Sequence, residues 1–375
     1  MPGVIDADTH ISESTGMWEL MEPSMYPRRP VMTEVPDDTV YADINVLWLI
    51  DGNVFPKPAG RGGFRLVTPS RAKGQVQRQD VLIACREITD VPARLADMDR
   101  LGVDVQVIYP TLFLVYLTDD AELETALCRA YNDWMADVWS KSGGRLRWVV
   151  VPPLHSMDAS LEEMRKGKAT GAAGVTLRGL ESDRSIAEPY FFPLYEEAEK
   201  LDLPICIHTG SGSRTLLNLF DLAVSSVFAN QVILPLFAFR DIVANHLPAR
   251  YPGLRFGFIE AKASWIPYLL HVLRRESRAA VAGGRKGIQR PRWKHETHVE
   301  LFQDYRIYVA CEADEDLSYL LNYTGEDNLL IGSDYGHTDP ANEPRMVDVM
   351  RQRDDLPAGV IEKILVDNPK AFYGL

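Results

Sequence analysis

Basic charge is what this chain has too little of. Lys and Arg total 40 against 53 Asp and Glu, a net charge of −13. That balance leaves no basic footprint for a nucleic-acid backbone or an anionic membrane surface. Cysteine is scarce as well. Cys85, Cys128, Cys206 and Cys311 form neither a CxxC pair nor a zinc-finger spacing. Free thiols in a reducing cytoplasm are therefore expected. No apolar run reaches the ~18–20 residues of a membrane helix, and no basic-then-apolar leader opens the sequence. Tandem repeats and low-complexity tracts are missing. So are the nucleotide loops GxGxxG and GxxxxGK(S/T), which an open, doubly wound sheet would need after an early strand.

What the sequence does have is alternation. Apolar strands are expected at Val4–His10, Val103–Tyr109, Leu146–Val151, Gly174–Leu177, Pro204–Ile207, Leu254–Ile259, Tyr305–Ala310 and Asn328–Gly332. Each is followed by helical sequence, as in Val91–Leu101 with Pro92 near its start and Gly102 after its end. Eight such units predict an α/β protein, a closed (β/α)8 TIM barrel forming one domain over residues 1–375. The stretch from Ser12 to Thr89 departs from the pattern. It reads as a long irregular insertion after the first strand, rich in Pro and Gly around Pro56–Gly63, and loops of this length usually act as lids.

In such a barrel, function lies where the strands end. Strand one carries Asp6, Asp8 and His10, two apart and so expected on one face. Strand five ends at His208, strand six at Glu260 and strand eight at Asp334, with His337 and Asp339 on the loop beyond. Carboxylates and imidazoles from four strands at one level suit a divalent ion such as zinc, iron or manganese. Asp6, one step deeper, is expected as a buried neighbour rather than a ligand. Cys206 reads as core. His155 and His246 read as structural, and His271, His295 and His298 as solvent-exposed.

The opening IDADTHISE, GVDVQVIYPT, LPICIHTG, YPGLRFGFIEAKASWIPYLLH, LLIGSDYGHTD and the closing VDNPKAFYGL together resemble the Amidohydro_2 branch of the amidohydrolase superfamily, which includes aminocarboxymuconate-semialdehyde decarboxylase. The resemblance spans nearly the whole chain. It implies a metal-bearing (β/α)8 barrel in which Asp8 and His10 stand for the first-strand HxH motif. His208 stands for the strand-five ligand, and Asp334 for the strand-eight aspartate that binds metal or acts as base. Glu260 takes a place where many members have His. With Glu13 and His337 there are seven candidate ligands, too many for one four- to six-coordinate ion. Zinc is the first expectation, with iron or manganese, and a dinuclear centre, as alternatives.

The implied activity is a metal-dependent hydrolase or non-oxidative decarboxylase of a small carboxylate-bearing molecule, with Asp334 and His337 moving the proton. A dinuclear iron or iron/manganese monooxygenase and a non-catalytic barrel subunit are the alternatives. Arg178, at the end of strand four, is a candidate clamp for a substrate carboxylate, with a surface ion pair as the alternative. No Lys ends that strand, so no carboxylated lysine is indicated; Lys262 is a possible substrate contact. The basic loop Arg285–Lys294 is expected as a solvated face or a contact within a homo- or hetero-oligomer.

Overall fold

The computed structural model describes residues 3–39, 44–57, 61, 64–72, 78, 80–220, 228–282 and 294–375, the stretch 278–282 by its backbone alone. The segments 58–60 and 62–63 of the Pro/Gly stretch, 221–227 of the expected helical region, and the basic loop apart from Lys294 lie outside the described residues.

Eight parallel strands form one sheet in chain order: β1 (Ile5–Ile11), β2 (Val105–Pro110), β3 (Leu146–Val150), β4 (Ala172–Arg178), β5 (Ile205–His208), β6 (Phe256–Ile259), β7 (Ile307–Cys311) and β8 (Leu329–Ile331). The ends of the sheet meet just beyond β8, where the Asp334 amide donates to the Asp8 carbonyl (3.0 Å) and the His10 amide to the Tyr335 carbonyl (2.7 Å). This seam explains Gly332: a Cβ there would lie 2.2 Å from the Cβ of Asp8. The molecule is thus a (β/α)8 barrel, as the alternation predicts.

The intervening helices begin where the sequence supplies a cap. Asp90 accepts from the Ala93 amide before Val91–Leu101, and Gly102 ends that helix with φ 71°. Asp120 caps Ala121–Lys141 by accepting from the amides of Glu122 and Leu123, and Asp316 caps Leu317–Thr324. The core has two layers. One joins the outer faces of the strands to the helices. The other fills the barrel with Ile5, Ala7, Val107, Val149, Cys206 and Leu330, among which Phe372 and Tyr373 of the last helix insert.

Strand β1 departs from strict alternation. Its register on β2 shifts between Asp6 and Thr9, and such an irregularity re-aims side chains. Ile5 and Ala7 pack in the barrel core, and Asp8 and His10 then reach the ionisable cluster. Asp6 instead accepts the amide (2.8 Å) and the hydroxyl of Ser333. The expectation that Asp6 shares the face of Asp8 and His10 is therefore corrected.

The insertion is more ordered than its composition suggests. It contains a three-stranded antiparallel sheet of Val31–Glu34, Val46–Ile50 and Asn53–Phe55, with short 3₁₀ turns at Met17–Leu20, Tyr26–Arg28 and Arg65–Val67. Trp18 and Trp48, both buried, meet edge to face at 6.1 Å. The reading of Ser12–Thr89 as irregular is corrected accordingly. All four cysteines are free and buried. Among the described residues no helix is long and apolar enough to cross a membrane.

Candidate metal centre

Asp8, His10, His208, Glu260, Asp334 and His337 converge at the C-terminal ends of the strands. All but Glu260 are fully buried, and the Glu260 side chain is only 5% exposed. Donor atoms of Asp8, His10, His208 and Glu260 lie within 4.8 Å of one another, as do those of His10, Glu260, Asp334 and His337. Glu260 and Asp334 both sit at φ 50°. A left-handed backbone costs a side-chain-bearing residue ~1–2 kcal/mol, and such strain is found where function over-determines geometry.

The imidazoles are oriented by their outer nitrogens. His10 donates from Nδ1 to the Pro110 carbonyl (3.1 Å), and His208 from Nδ1 to the Thr209 carbonyl (2.9 Å). Each therefore turns an Nε2 lone pair inward. His10 Nε2 is 3.4 Å from Asp8 Oδ1, 3.7 Å from Glu260 Oε2 and 3.5 Å from Asp334 Oδ1. His208 Nε2 is 3.4 Å from Asp8 Oδ1 and 3.5 Å from Glu260 Oε2. His337 meets the Thr111 hydroxyl through Nε2 (3.0 Å), and its Nδ1 lies 2.8 Å from Asp334 Oδ1, out of line for a hydrogen bond.

These separations suit a cation better than direct hydrogen bonds. Ligands ~2.1 Å from a tetrahedral ion stand ~3.4 Å apart. His10 Nε2, Glu260 Oε2, both Asp334 oxygens and His337 Nδ1 are buried without a hydrogen-bond partner among the described residues. Burial, then the neighbouring carboxylates of Asp339 and Asp8, pushes the Glu260 carboxyl well above its ordinary range. Burial, with Glu260 and Asp339 next, does the same to Asp334. Burial and then His10 hold His337 well below the ordinary imidazole range. Against the cost of burial, His208 and His10 hold the Asp8 carboxyl below its ordinary range, whereas Glu260, ringed by other carboxylates, needs positive charge to stay ionised, and a divalent ion would supply it. Beside them is a crevice of about 20 Å³ lined by Asp8, Glu260, Lys262 and Asp334, room for about one water.

Two expected site residues are engaged elsewhere. Glu13 is buried, and its oxygens accept from the amides of Thr111 (3.0 Å) and Leu112 (2.9 Å). It braces the end of β2 and stands outside the two donor groups. Arg178 donates to both oxygens of Glu181 and to the carbonyls of Phe113 and Val115. Its guanidinium is thus engaged by a carboxylate of its own chain, an ion pair as in the alternative reading of this residue. Lys262 pairs with Glu312 at the rim.

Asp339 lies half-buried beside Glu260 and Asp334, a neighbour that the sequence marks only as part of the loop after β8. His155 bonds Glu124 and Tyr116, and His246 bonds Tyr305, as structural residues would. His271 is exposed. His295 is mostly covered against Asp304, and His298 opens the helix His298–Asp304 stacked on Tyr323, which corrects their expected exposure.

Glu13 carries a pH prediction. Burial, opposed by the amide bonds, raises its carboxyl from 4.5 to about 7. The folded protein then holds a proton that the unfolded chain releases, so the contribution of Glu13 to stability is complete below pH 4.5 and is lost as pH rises through about 7. The shift is worth ~3 kcal/mol. Urea unfolding of chelator-treated protein across that window should fall with pH more steeply for the natural chain than for Glu13→Gln. Parallel slopes would contradict the assignment.

A family model for amidohydrolases, Amidohydro_2, matches residues 5–375. The chain is 27% identical over 122 residues to 2-amino-3-carboxymuconate-6-semialdehyde decarboxylase of Dictyostelium discoideum, covering 32% of this chain and 33% of that protein. It is 24% identical over 184 residues to gamma-resorcylate decarboxylase of Rhodococcus jostii, covering 45% and 54%. These matches span about a third and about half of the curated relatives' lengths. A 5-carboxyvanillate decarboxylase from Novosphingobium aromaticivorans, solved with manganese and 3-methoxy-4-hydroxy-5-nitrobenzoic acid, superposes with a TM-score of 0.67 at 18% identity, covering 100% of this chain and 97% of that one.

Proposed function

The chain belongs to the Amidohydro_2 family of amidohydrolases, and from that premise we propose that it is a metal-dependent, non-oxidative decarboxylase of a small carboxylated ring or unsaturated acid. The observation that carries the reading is the buried convergence of Asp8, His10, His208 and Glu260 with donor atoms 3.4–3.7 Å apart. The decarboxylases among its relatives favour loss of CO2 over hydrolysis.

One ion per chain follows from the imidazole count. His10 belongs to both donor groups, yet it has one inward lone pair, because Nδ1 is bonded to Pro110. With Glu13 engaged as well, a second ion lacks a ligand set of its own. The donor mix suits zinc or manganese. When bound, the ion would draw charge from the substrate's oxygens and orient its carboxylate.

The chain's own residues do the rest. Asp8, His10, His208 and Glu260 hold the ion. Asp334 carries the proton in this reading, and His337, whose Nδ1 lies 2.8 Å from Oδ1, exchanges it with solvent once the two are aligned. The bond from carbon to carboxylate breaks, CO2 leaves, and the electron pair left on carbon takes the Asp334 proton. Solvent then restores that proton through His337.

The test is release of CO2 from carboxylated phenols, beginning with 2,6-dihydroxybenzoate, by protein stripped with chelator and reloaded with zinc or manganese. Metal-dependent CO2 release is expected. Hydrolysis of ester or amide substrates with no CO2 from any carboxylate would overturn the reading.

A further inference from the structure

A second cavity, about 410 Å³, opens between the insertion and the loops that follow β2 and β5. That volume is within the range of small-molecule sites. Its walls are held by bonds across the seam. Asp51 accepts from Arg28 (2.9 Å) and from the Thr118 hydroxyl (2.7 Å), and Arg28 also reaches Asp120 (2.7 Å). Asp119 accepts from the Tyr116 hydroxyl (2.8 Å) and pairs with Arg214. Both acidic residues lining the cavity are thus already answered by cations.

Lys57 is different. Its half-buried ammonium donates to Asn218 Oδ1 at 3.1 Å, and it has no carboxylate partner among the described residues. Asn218 is turned that way because its Nδ2 donates to the Arg214 carbonyl (2.7 Å). An ammonium has three donors, so two remain beyond the bond to Asn218. Around them lie Phe55, Val54, Leu117 and Leu217. An ammonium in a mostly polar lining, with this apolar patch beside it, selects an anion that carries a small apolar body.

We propose that this cavity is a binding site for an organic carboxylate, anchored on Lys57. The loops that line it start at the metal centre: one follows β2 from Thr111, which touches His337, and the other follows β5 from His208. Two sources share this chemistry, the far end of a two-headed substrate and a separate carboxylate effector.

The test is calorimetric titration of benzoate into chelator-treated protein, where the metal centre cannot hold it. Benzoate should bind. Lys57→Met should weaken it about tenfold or more, the loss of one charge-assisted hydrogen bond, and Lys57→Arg should largely restore it. Asn218→Asp, which gives Lys57 a carboxylate partner, should weaken it too and covers the case of a poorly folded Lys57→Met chain. No benzoate binding, or equal binding by these variants, would overturn the proposal. Isophthalate on metal-loaded protein then separates the sources. Affinity lost both on Lys57→Met and on metal removal identifies a substrate spanning the two centres, and affinity lost on Lys57→Met alone identifies an effector seat.

Discussion

Replacing His208 with alanine should empty the metal centre. Bound divalent ion is expected to fall from about one per chain to under a tenth, and kcat/KM for CO2 release by about three orders of magnitude or more, the scale of losing an electrostatic catalyst. The size follows from position. His208 is fully buried, its Nδ1 is committed to the Thr209 carbonyl, and its Nε2 stands 3.4 Å from Asp8 and 3.5 Å from Glu260. No other described imidazole can replace it, because His10 already serves both donor groups and His337 sits on the Asp334 side. Elemental analysis of the variant beside the natural protein gives the answer, and a variant with full metal content would remove His208 from the ligand set.

Asp334→Asn should act differently. Asparagine keeps the shape but cannot hand over the proton, so kcat should fall by about 10²–10⁴, the usual worth of a positioned acid or base. Metal content should stay near that of the natural protein, because Asp8, His10, His208 and Glu260 form a complete donor group without Asp334. Loss of the ion together with activity would make Asp334 a ligand and leave the proton to His337. The two substitutions thus separate holding the ion from moving the proton.

Much of this was legible from strand ends. Period-two alternation and the apolar strands place Asp8, His10, His208, Glu260 and Asp334 at one level of one barrel, and the structure brings them together. The bulge in β1 was not legible, since nothing in IDADTH marks where the register shifts. The roles of Glu13 and Arg178 stayed open because sequence shows a side chain's chemistry and not its nearest partner. For Glu13 the partners are the amides of Thr111 and Leu112, 98 and 99 residues away.

For Arg178 the main partner is Glu181, only three residues on, and that i,i+3 pair could have been suspected. The sheet in the insertion did leave a signal. Asp51-Gly52, with φ 48° and 74°, is the two-residue turn that joins hairpin strands, and it lies between Val46–Ile50 and Asn53–Phe55. The Pro/Gly-rich neighbourhood obscured it. Asp339 was visible in GSDYGHTD, but its closeness to Glu260 depends on how the loop after β8 folds back, which no spacing rule supplies.

The most direct test of the metal centre is elemental analysis of protein purified without added metal or chelator, expressed per chain and followed by reloading of stripped protein. About one divalent ion per chain, zinc or manganese, is expected, with CO2 release returning in proportion to its uptake. Two ions per chain including iron, with oxygen consumed in the presence of a reductant, would contradict the single shared His10 ligand and the decarboxylase reading together.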